Sequence, residues 1–411
     1  MRDVFLVGGA HTPYIGKFNP DFIWKKHPDF GKRTNPDGEQ LVKQVVADTF
    51  AATGATGELV DKAFIGNFAG ELFENQGHFG ALVAAADEGL VGKPITRVEA
   101  ACASGGLALS NGFDAIRAGA DIVLVVGAEV QNTRNAMDGA DFLARASHYK
   151  SQREIDAFTF PALFARRIKA AVAAGVVTTD DLALASVKAY GNANKNPFAH
   201  MRAYKMELEA AKLSPTFLGN EDLKDWLRVS DCSQVSDGAS ALILASEAGL
   251  AKLGKARVDV VQVLSSVIAV GALNATTNPL EMTTVKMAAE KAYAAAGLKP
   301  ADVQVAEVHD CFTIAEVLST EAVGFAALGQ GAALLQSGAT QIDGKIPVNT
   351  GGGLVGFGHP VGATGVKQAL EVFRQMKGQC GDYQMPTTPG IGLTANMGGD
   401  DRTAVVSLYK A

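Results

Sequence analysis

The stretch Thr96–Val130, TRVEAACASGGLALSNGFDAIRAGADIVLVVGAEV, runs from an extended segment through a turn carrying Cys102 into a helix of small residues, and ends in an unbroken apolar run. Such a run without alternation reads as a strand covered on both faces, the mark of a buried sheet in an α/β protein. The same order returns later. IPVNTGGGLVGFGHPVGATGVKQALEVFRQM, Ile346–Met376, leads through a glycine-rich turn with His359 into a helix, and IGLTANMGG, Ile391–Gly399, follows as a strand. The echo is one of pattern rather than identity, and it predicts a duplicated α/β fold.

Around these segments, short β-branched runs (DVFLVGG, KAFIGNF, DVQVAEV) alternate with helical patterns (GEQLVKQVVADTFAATGA, TIAEVLSTEAVGFAAL), as buried strands between helices should. Between Asn132 and about Ser230 the strand signals stop, and helical stretches such as FPALFARRIKAAVAAG take over. The expected organisation is therefore an N-terminal half at 1–130 and 231–254, an inserted, mainly helical domain at 131–230, and a C-terminal half at 255–411. With 411 residues the chain exceeds the ~250–300 at which one core stops growing.

Composition narrows the function. Hydrophobic residues make up 47% and charged residues 19%, with 45 glycines, the balance of a globular enzyme. Net charge is −6 with no basic run to track phosphates, so nucleic acid is not an expected partner. The four cysteines are scattered without CxxC pairing, which speaks against a zinc site or disulfide scaffold and for a reducing compartment. No apolar run reaches the ~20 residues that span a bilayer, and the expected location is the cytoplasm.

Three places carry residues suited to chemistry. Cys102 precedes a helix, where unpaired amides and the macrodipole favour a thiolate; the competing reading is a buried structural cysteine. His359 stands alone among seven glycines and a proline, in a loop that needs no histidine for packing and lacks the GxxxxGK[ST] spacing of a phosphate cradle. In EVHDCF, Glu307–Phe312, His309 and Cys311 lie two apart at the end of a strand and face one side. Asp310 between them is expected to cap the next helix or to orient a neighbour. Cys232, Cys380 and the histidines at 11, 27, 78, 148 and 200 are expected to be bystanders or satisfied structural groups.

CASGG, HDCF, NTGGGLVGFGHPVGATG and NMGG, in this order, resemble the thiolase superfamily, most closely its sterol-carrier-protein type branch; VFLVGGAHTPYIGKF, GAEVQN, LRVSDCSQVSDGASALILAS and TAVVSLYK extend the likeness over nearly the whole chain. The resemblance implies a five-layered αβαβα fold of two pseudo-symmetric halves, with the inserted domain over a coenzyme A channel. It implies that Cys102 accepts the acyl group, His359 activates it, Cys311 moves the proton, and His309 with His359 binds the thioester oxygen. The amides of Cys102 and Gly398 would form a second oxyanion hole. It also implies coenzyme A as co-substrate, no tightly bound cofactor or metal, and a homodimer or homotetramer.

Two departures stand out. Many thiolases carry the acid/base cysteine in a CxGG motif, where this chain has Asn396; Cys311 in HDCF makes good that loss in the sterol-carrier-protein type branch. The polar stretch Asn19–Gln40 is longer than in many thiolases, with an interface or substrate-entrance role as its reading. The chemistry expected is thiolytic cleavage of 3-ketoacyl-CoA or the reverse condensation of acetyl-CoA. A decarboxylating ketoacyl-synthase-like enzyme and a non-catalytic acyl-CoA-binding scaffold are the alternatives.

Overall fold

The computed structural model describes residues 2–411. Its strands are β1 (Phe5–His11), β2 (Lys62–Gly66), β3 (Ile95–Val98), β4 (Ile122–Glu129), β5 (Gly238–Ala245), β6 (Val261–Val270), β7 (Val305–Val308), β8 (Ile391–Gly398) and β9 (Thr403–Lys410). They form one mixed sheet in the order β3-β2-β4-β5-β1-β6-β9-β8-β7.

Outward from the short antiparallel seam between β1 and β6, the two arms repeat each other. In one, β1 pairs antiparallel with β5, β5 antiparallel with β4, then β2 and β3 add in parallel. In the other, β6 pairs antiparallel with β9, β9 antiparallel with β8, and β7 adds in parallel. A parallel bridge from Ala306 to Val348 takes the place of the outermost strand. Even the irregularities match: a bulge falls between Leu6 and Gly8 of β1 and between Val263 and Ser265 of β6. The duplication predicted from the glycine-turn echo is thus carried by strand order and direction.

Alternation along the strands sets the layers. Val123 and Val125 of β4 point to one core with Ala108 and Leu109 of helix Ser104–Arg117 and Val366 and Leu370 of helix Thr364–Met376, and Val261 and Val305 of the other arm reach the same core. Leu124 and Val126 point the opposite way, onto Val42 and Val46 of helix Gly38–Thr53. On the far side, Leu393 and Val406 meet Ala288 of helix Thr283–Ala296 and Ile314 of helix Thr313–Ala322. With each arm of the sheet taken as a layer, the order is helix, sheet arm, helix pair, sheet arm, helix: the five-layered αβαβα arrangement.

The central helices touch backbone to backbone. A Cβ at Gly105 would lie 2.7 Å from the Gly362 carbonyl, and one at Gly365 only 2.0 Å from the Gly106 amide, so side chains are excluded where the two helices begin. Between Asn132 and Ser230 the chain forms helices Ala136–Leu143, Thr159–Ala173, Thr179–Ala193 and Leu208–Lys212 and contributes none of the nine strands. The polar stretch from Asn19 forms turns up to the helix at Gly38; the buried Asn19 amide donates to the carbonyls of Tyr14 and His200. No helix among the described residues is long and apolar enough to cross a membrane.

Candidate active site

After β3 the chain turns sharply to enter helix Ser104–Arg117. Ala101 takes φ 49°, in the left-handed region that alanine rarely adopts. The Ser104 hydroxyl spans the turn, accepting from the Ala100 amide at 2.9 Å and donating to the Ala101 carbonyl at 2.6 Å. This presents Cys102 just ahead of the helix. The side chain is buried, and burial pushes its thiol up to about 12; hydrogen bonds from the Gly399 amide and its own amide pull the other way without prevailing. The lowered thiol expected from the helix start is therefore corrected: loss of water outweighs the helix end.

His359 is held at two points. Its amide donates to Ser236 Oγ at 3.1 Å, and Nδ1 lies 2.6 Å from Thr364 Oγ1. The Thr364 hydroxyl also lies 3.0 Å from the Pro360 carbonyl, and a proton donated there leaves Oγ1 to accept from His359, the arrangement in which the ring carries its proton on Nδ1. Nε2 keeps a lone pair, the form of a base. Burial and, secondarily, the Lys367 charge pull its pKa down to about 3, so the ring is neutral.

His309 follows β7. Its ring stands 5.1 Å from that of His359 at 85°, and the Cys102 sulfur and a nitrogen of each histidine lie within 4.8 Å of one another. Nδ1 is 3.1 Å from the Asn396 side-chain nitrogen, while Nε2 is buried with no partner. Burial, followed by the His359 and Lys367 charges, holds its pKa well below the usual value.

Cys311 and Cys102 line one cavity of about 500 Å³ together with His359. Burial raises the Cys311 thiol well above its usual value, and proximity of Cys102 adds to this. Asp310 turns the other way: its carboxylate accepts from the Leu354 amide at 2.7 Å and holds the glycine loop so closely that a Cβ on Gly353 would meet it at 2.1 Å. Of its two expected roles it has the second, since helix Thr313–Ala322 starts at Phe312 without a side-chain cap. The segment 131–230 supplies an aromatic wall of Phe158, Phe160 and Phe217, and Lys17 and Arg134 add positive charge to the lining.

Cys232, expected to be a bystander, also lines this cavity, with its thiol donating to the Arg228 carbonyl at 3.4 Å. Cys380 is buried elsewhere, beside Tyr383. His11 and His200 are satisfied in the core by Ser240 and Glu371 and by Ser236 and the Lys17 carbonyl. Three residues to which the motifs gave no role of their own support the site: Thr364, Asn396 and Glu129. The Glu129 carboxylate, buried in β4, accepts from the Phe68, Ala69 and Gly362 amides and ties the His359 loop to the other arm. An acid in the apolar run VVGAEV was its only signal in the sequence.

Family models describe two parts of the chain: the thiolase N-terminal domain matches residues 29–201 and the thiolase C-terminal domain-like model matches 265–411. An acetyl-CoA acetyltransferase of Methanothermobacter thermautotrophicus is 34% identical over 413 residues, spanning 100% of both chains. Sterol carrier protein 2 of Oryctolagus cuniculus is 32% identical over 340 residues, 78% of this chain and 59% of that one. Among solved structures, human mitochondrial 3-ketoacyl-CoA thiolase in complex with CoA matches with a TM-score of 0.71 at 16% identity, covering 100% of this chain and 98% of that one.

Proposed function

This chain belongs to the thiolase family and is an acyltransferase, and from that footing we propose the part that each residue of its site plays. Cys102 is the nucleophile, His359 its base, His309 a donor to the thioester oxygen and Cys311 the proton carrier. The observation that carries the reading is the convergence of Cys102, His309 and His359 within 4.8 Å beside a cavity that Cys311 also lines.

In the thiolytic direction, His359 Nε2 takes the Cys102 proton as the thiolate attacks the keto carbon of a 3-ketoacyl-CoA. The bond between the second and third carbons breaks, and its electrons pass into the thioester carbonyl as an enolate. His309 and the newly protonated His359 hold that oxygen; donors placed this way contribute several kcal/mol to such steps. Cys311 protonates the second carbon, and the shortened acyl-CoA departs. Coenzyme A then gives its thiol proton to the Cys311 thiolate and attacks the acyl group on Cys102. The amides of Cys102 and Gly398 hold the oxyanion, and Cys102 leaves, regaining its proton from His359. Both thiols and both rings return to their starting forms. A sulfur nucleophile suits this cycle because it attacks well and leaves readily.

Residues 1–130 and 231–254 form the N-terminal half, 131–230 a loop domain roofing the coenzyme A channel, and 255–411 the C-terminal half; the aromatic wall that 131–230 supplies to the cavity supports this division. Coenzyme A is a co-substrate that comes and goes, and the working form is a homodimer or homotetramer in the cytoplasm.

Thiolysis assays over a panel of 3-ketoacyl-CoA lengths, with mass-spectrometric mapping of the trapped acyl group, test the assignment. We expect the adduct on Cys102 and a loss of about 100-fold or more in Cys311→Ala. An adduct on another cysteine overturns the role of Cys102, and full activity of Cys311→Ala overturns that of Cys311.

A further inference from the structure

Asn396 occupies the place where other thiolases carry a cysteine, and its surroundings give it work of its own. Its Oδ1 accepts from the Gly106 amide at 3.0 Å. Its Nδ2 lies 3.1 Å from the Cys102 carbonyl and 3.1 Å from His309 Nδ1. The first two contacts decide which end of the amide is which: reversed, oxygen would face the Cys102 carbonyl and an NH2 would face the Gly106 N–H. An amide nitrogen carries two hydrogens and accepts nothing, so one goes to the carbonyl and the other to the ring.

We infer that Asn396 is a positioning residue that holds His309 as the neutral Nε2–H tautomer and thereby turns an N–H donor toward the reacting oxygen. With Nδ1 accepting, the neutral ring must carry its proton on Nε2, the buried nitrogen left without a partner. The imidazolium is excluded too, because its Nδ1–H would face the amide hydrogens. His309 Nε2 accordingly has no lone pair to give a metal ion, although the Cys102–His309–His359 spacing alone would admit one.

The slot is fitted to the amide. A Cβ on Gly365 would come within 2.4 Å of Asn396 Oδ1, and one on Gly106 within 2.7 Å. The glycines at the heads of both central helices therefore make room for this side chain as well as for each other. His359, with its proton held on Nδ1 by Thr364, is in the opposite tautomer. One ring is a donor at rest, and the other becomes a donor only after taking the Cys102 proton.

The inference rests on the proposed thiolase chemistry for its consequence, but its first test does not. Long-range 1H–15N correlation spectra of the folded, substrate-free protein, assigned by difference from His309→Gln, report where the His309 proton sits. We expect a neutral Nε2–H ring from pH 6 to 8. In Asn396→Asp, a carboxylate that can only accept demands Nδ1–H, so the proton should move or the ring become charged. kcat for acetoacetyl-CoA thiolysis should then fall about 100-fold or more, with KM little changed. Asn396→Ala, which imposes neither tautomer, provides a second folded variant in which the Nε2–H signal should give way to a mixture. A wild-type ring protonated on Nδ1, an unchanged tautomer in both variants, or wild-type kcat in Asn396→Asp overturns the inference. If the wild-type protein shows the Nε2–H ring, and the variants lose it, yet acetoacetyl-CoA is not turned over, the thiolase roles fall and the assignment of Asn396 stands.

Discussion

The two helices that lie back to back at the centre of the molecule are related by the internal duplication but are built from different materials. Helix Ser104–Arg117 meets the core with Ala108, Leu109, Phe113 and Ile116, and none of its buried residues is charged. Helix Thr364–Met376 buries Lys367, Gln368, Glu371 and Gln375 completely. Lys367 Nζ pairs with Glu307 of β7 at 2.9 Å and reaches the Gly353 carbonyl at 3.2 Å. The difference follows what each must hold. The first helix presents a cysteine on the turn before it and offers one backbone amide, that of Gly106, to Asn396. The second positions residues from three places at once: His359 ahead of it, the glycine loop, and the strand whose end carries His309 and Cys311. Buried hydrogen bonds and ion pairs are directional where apolar packing is not.

The largest effect expected from breaking this contrast is on the charged helix. Lys367→Met leaves Glu307 buried without its partner and should cost about 3–5 kcal/mol in urea unfolding. The sign with pH is set by Glu307. Burial already raises its carboxyl to about 7, and removing Lys367, which lowers it, raises it further. A carboxyl whose folded pKa lies above its unfolded value loses stability as pH rises, so the deficit should be greater at pH 8 than at pH 5. Adding Glu307→Leu should recover much of it. Leu109→Ala in the dry helix should cost about 2–5 kcal/mol with no such slope. A flat pH profile for Lys367→Met would remove the electrostatic half of the comparison.

Next in size is the state of the proposed nucleophile. Burial disfavours the charged form of either partner, raising Cys102 to about 12 and lowering His359 to about 3, so both are neutral at rest. Iodoacetamide labelling of Cys102, distinguished from Cys232 by peptide mapping, should then climb about tenfold per pH unit between 6 and 8. A plateau across that range would mean a preformed thiolate–imidazolium pair. The smallest effect is expected at Thr364. Thr364→Val removes the acceptor that keeps the His359 proton on Nδ1, and a lost hydrogen bond of about 1–1.5 kcal/mol corresponds to roughly tenfold in kcat.

Much of this architecture was legible in the sequence because the signals are local. The glycine turns at Cys102 and His359 announced both central helices, and the apolar run before EVHDCF placed His309 and Cys311 just past the end of a strand. What stayed hidden depends on residues that only the fold brings together. Asn396 read as a missing cysteine because its partners, Gly106 and Cys102, lie 290 and 294 residues away. The helix start before Cys102 was visible, but the depth of its burial was not, and burial decides the thiol. Cys232 has no histidine or helix start beside it in the sequence, and only a backbone bridge to Phe312 brings it to the cavity next to Cys311. The polar face of helix Thr364–Met376 suggests contact with water, yet β1, β7 and the glycine loop cover it.

The hydrogen bond between Asn396 and the Cys102 carbonyl also has a meaning in time. The ribosome delivers Cys102 294 residues before Asn396, and β8, which bears Asn396, must pair with β9 and β7 before the amide can reach its slot. Contacts of such sequence separation form late, after long loops have closed. The surroundings of Cys102 are therefore complete only when strands from the far end of the chain have closed upon it, and the thiol emerges 294 residues ahead of the amide that will face its carbonyl.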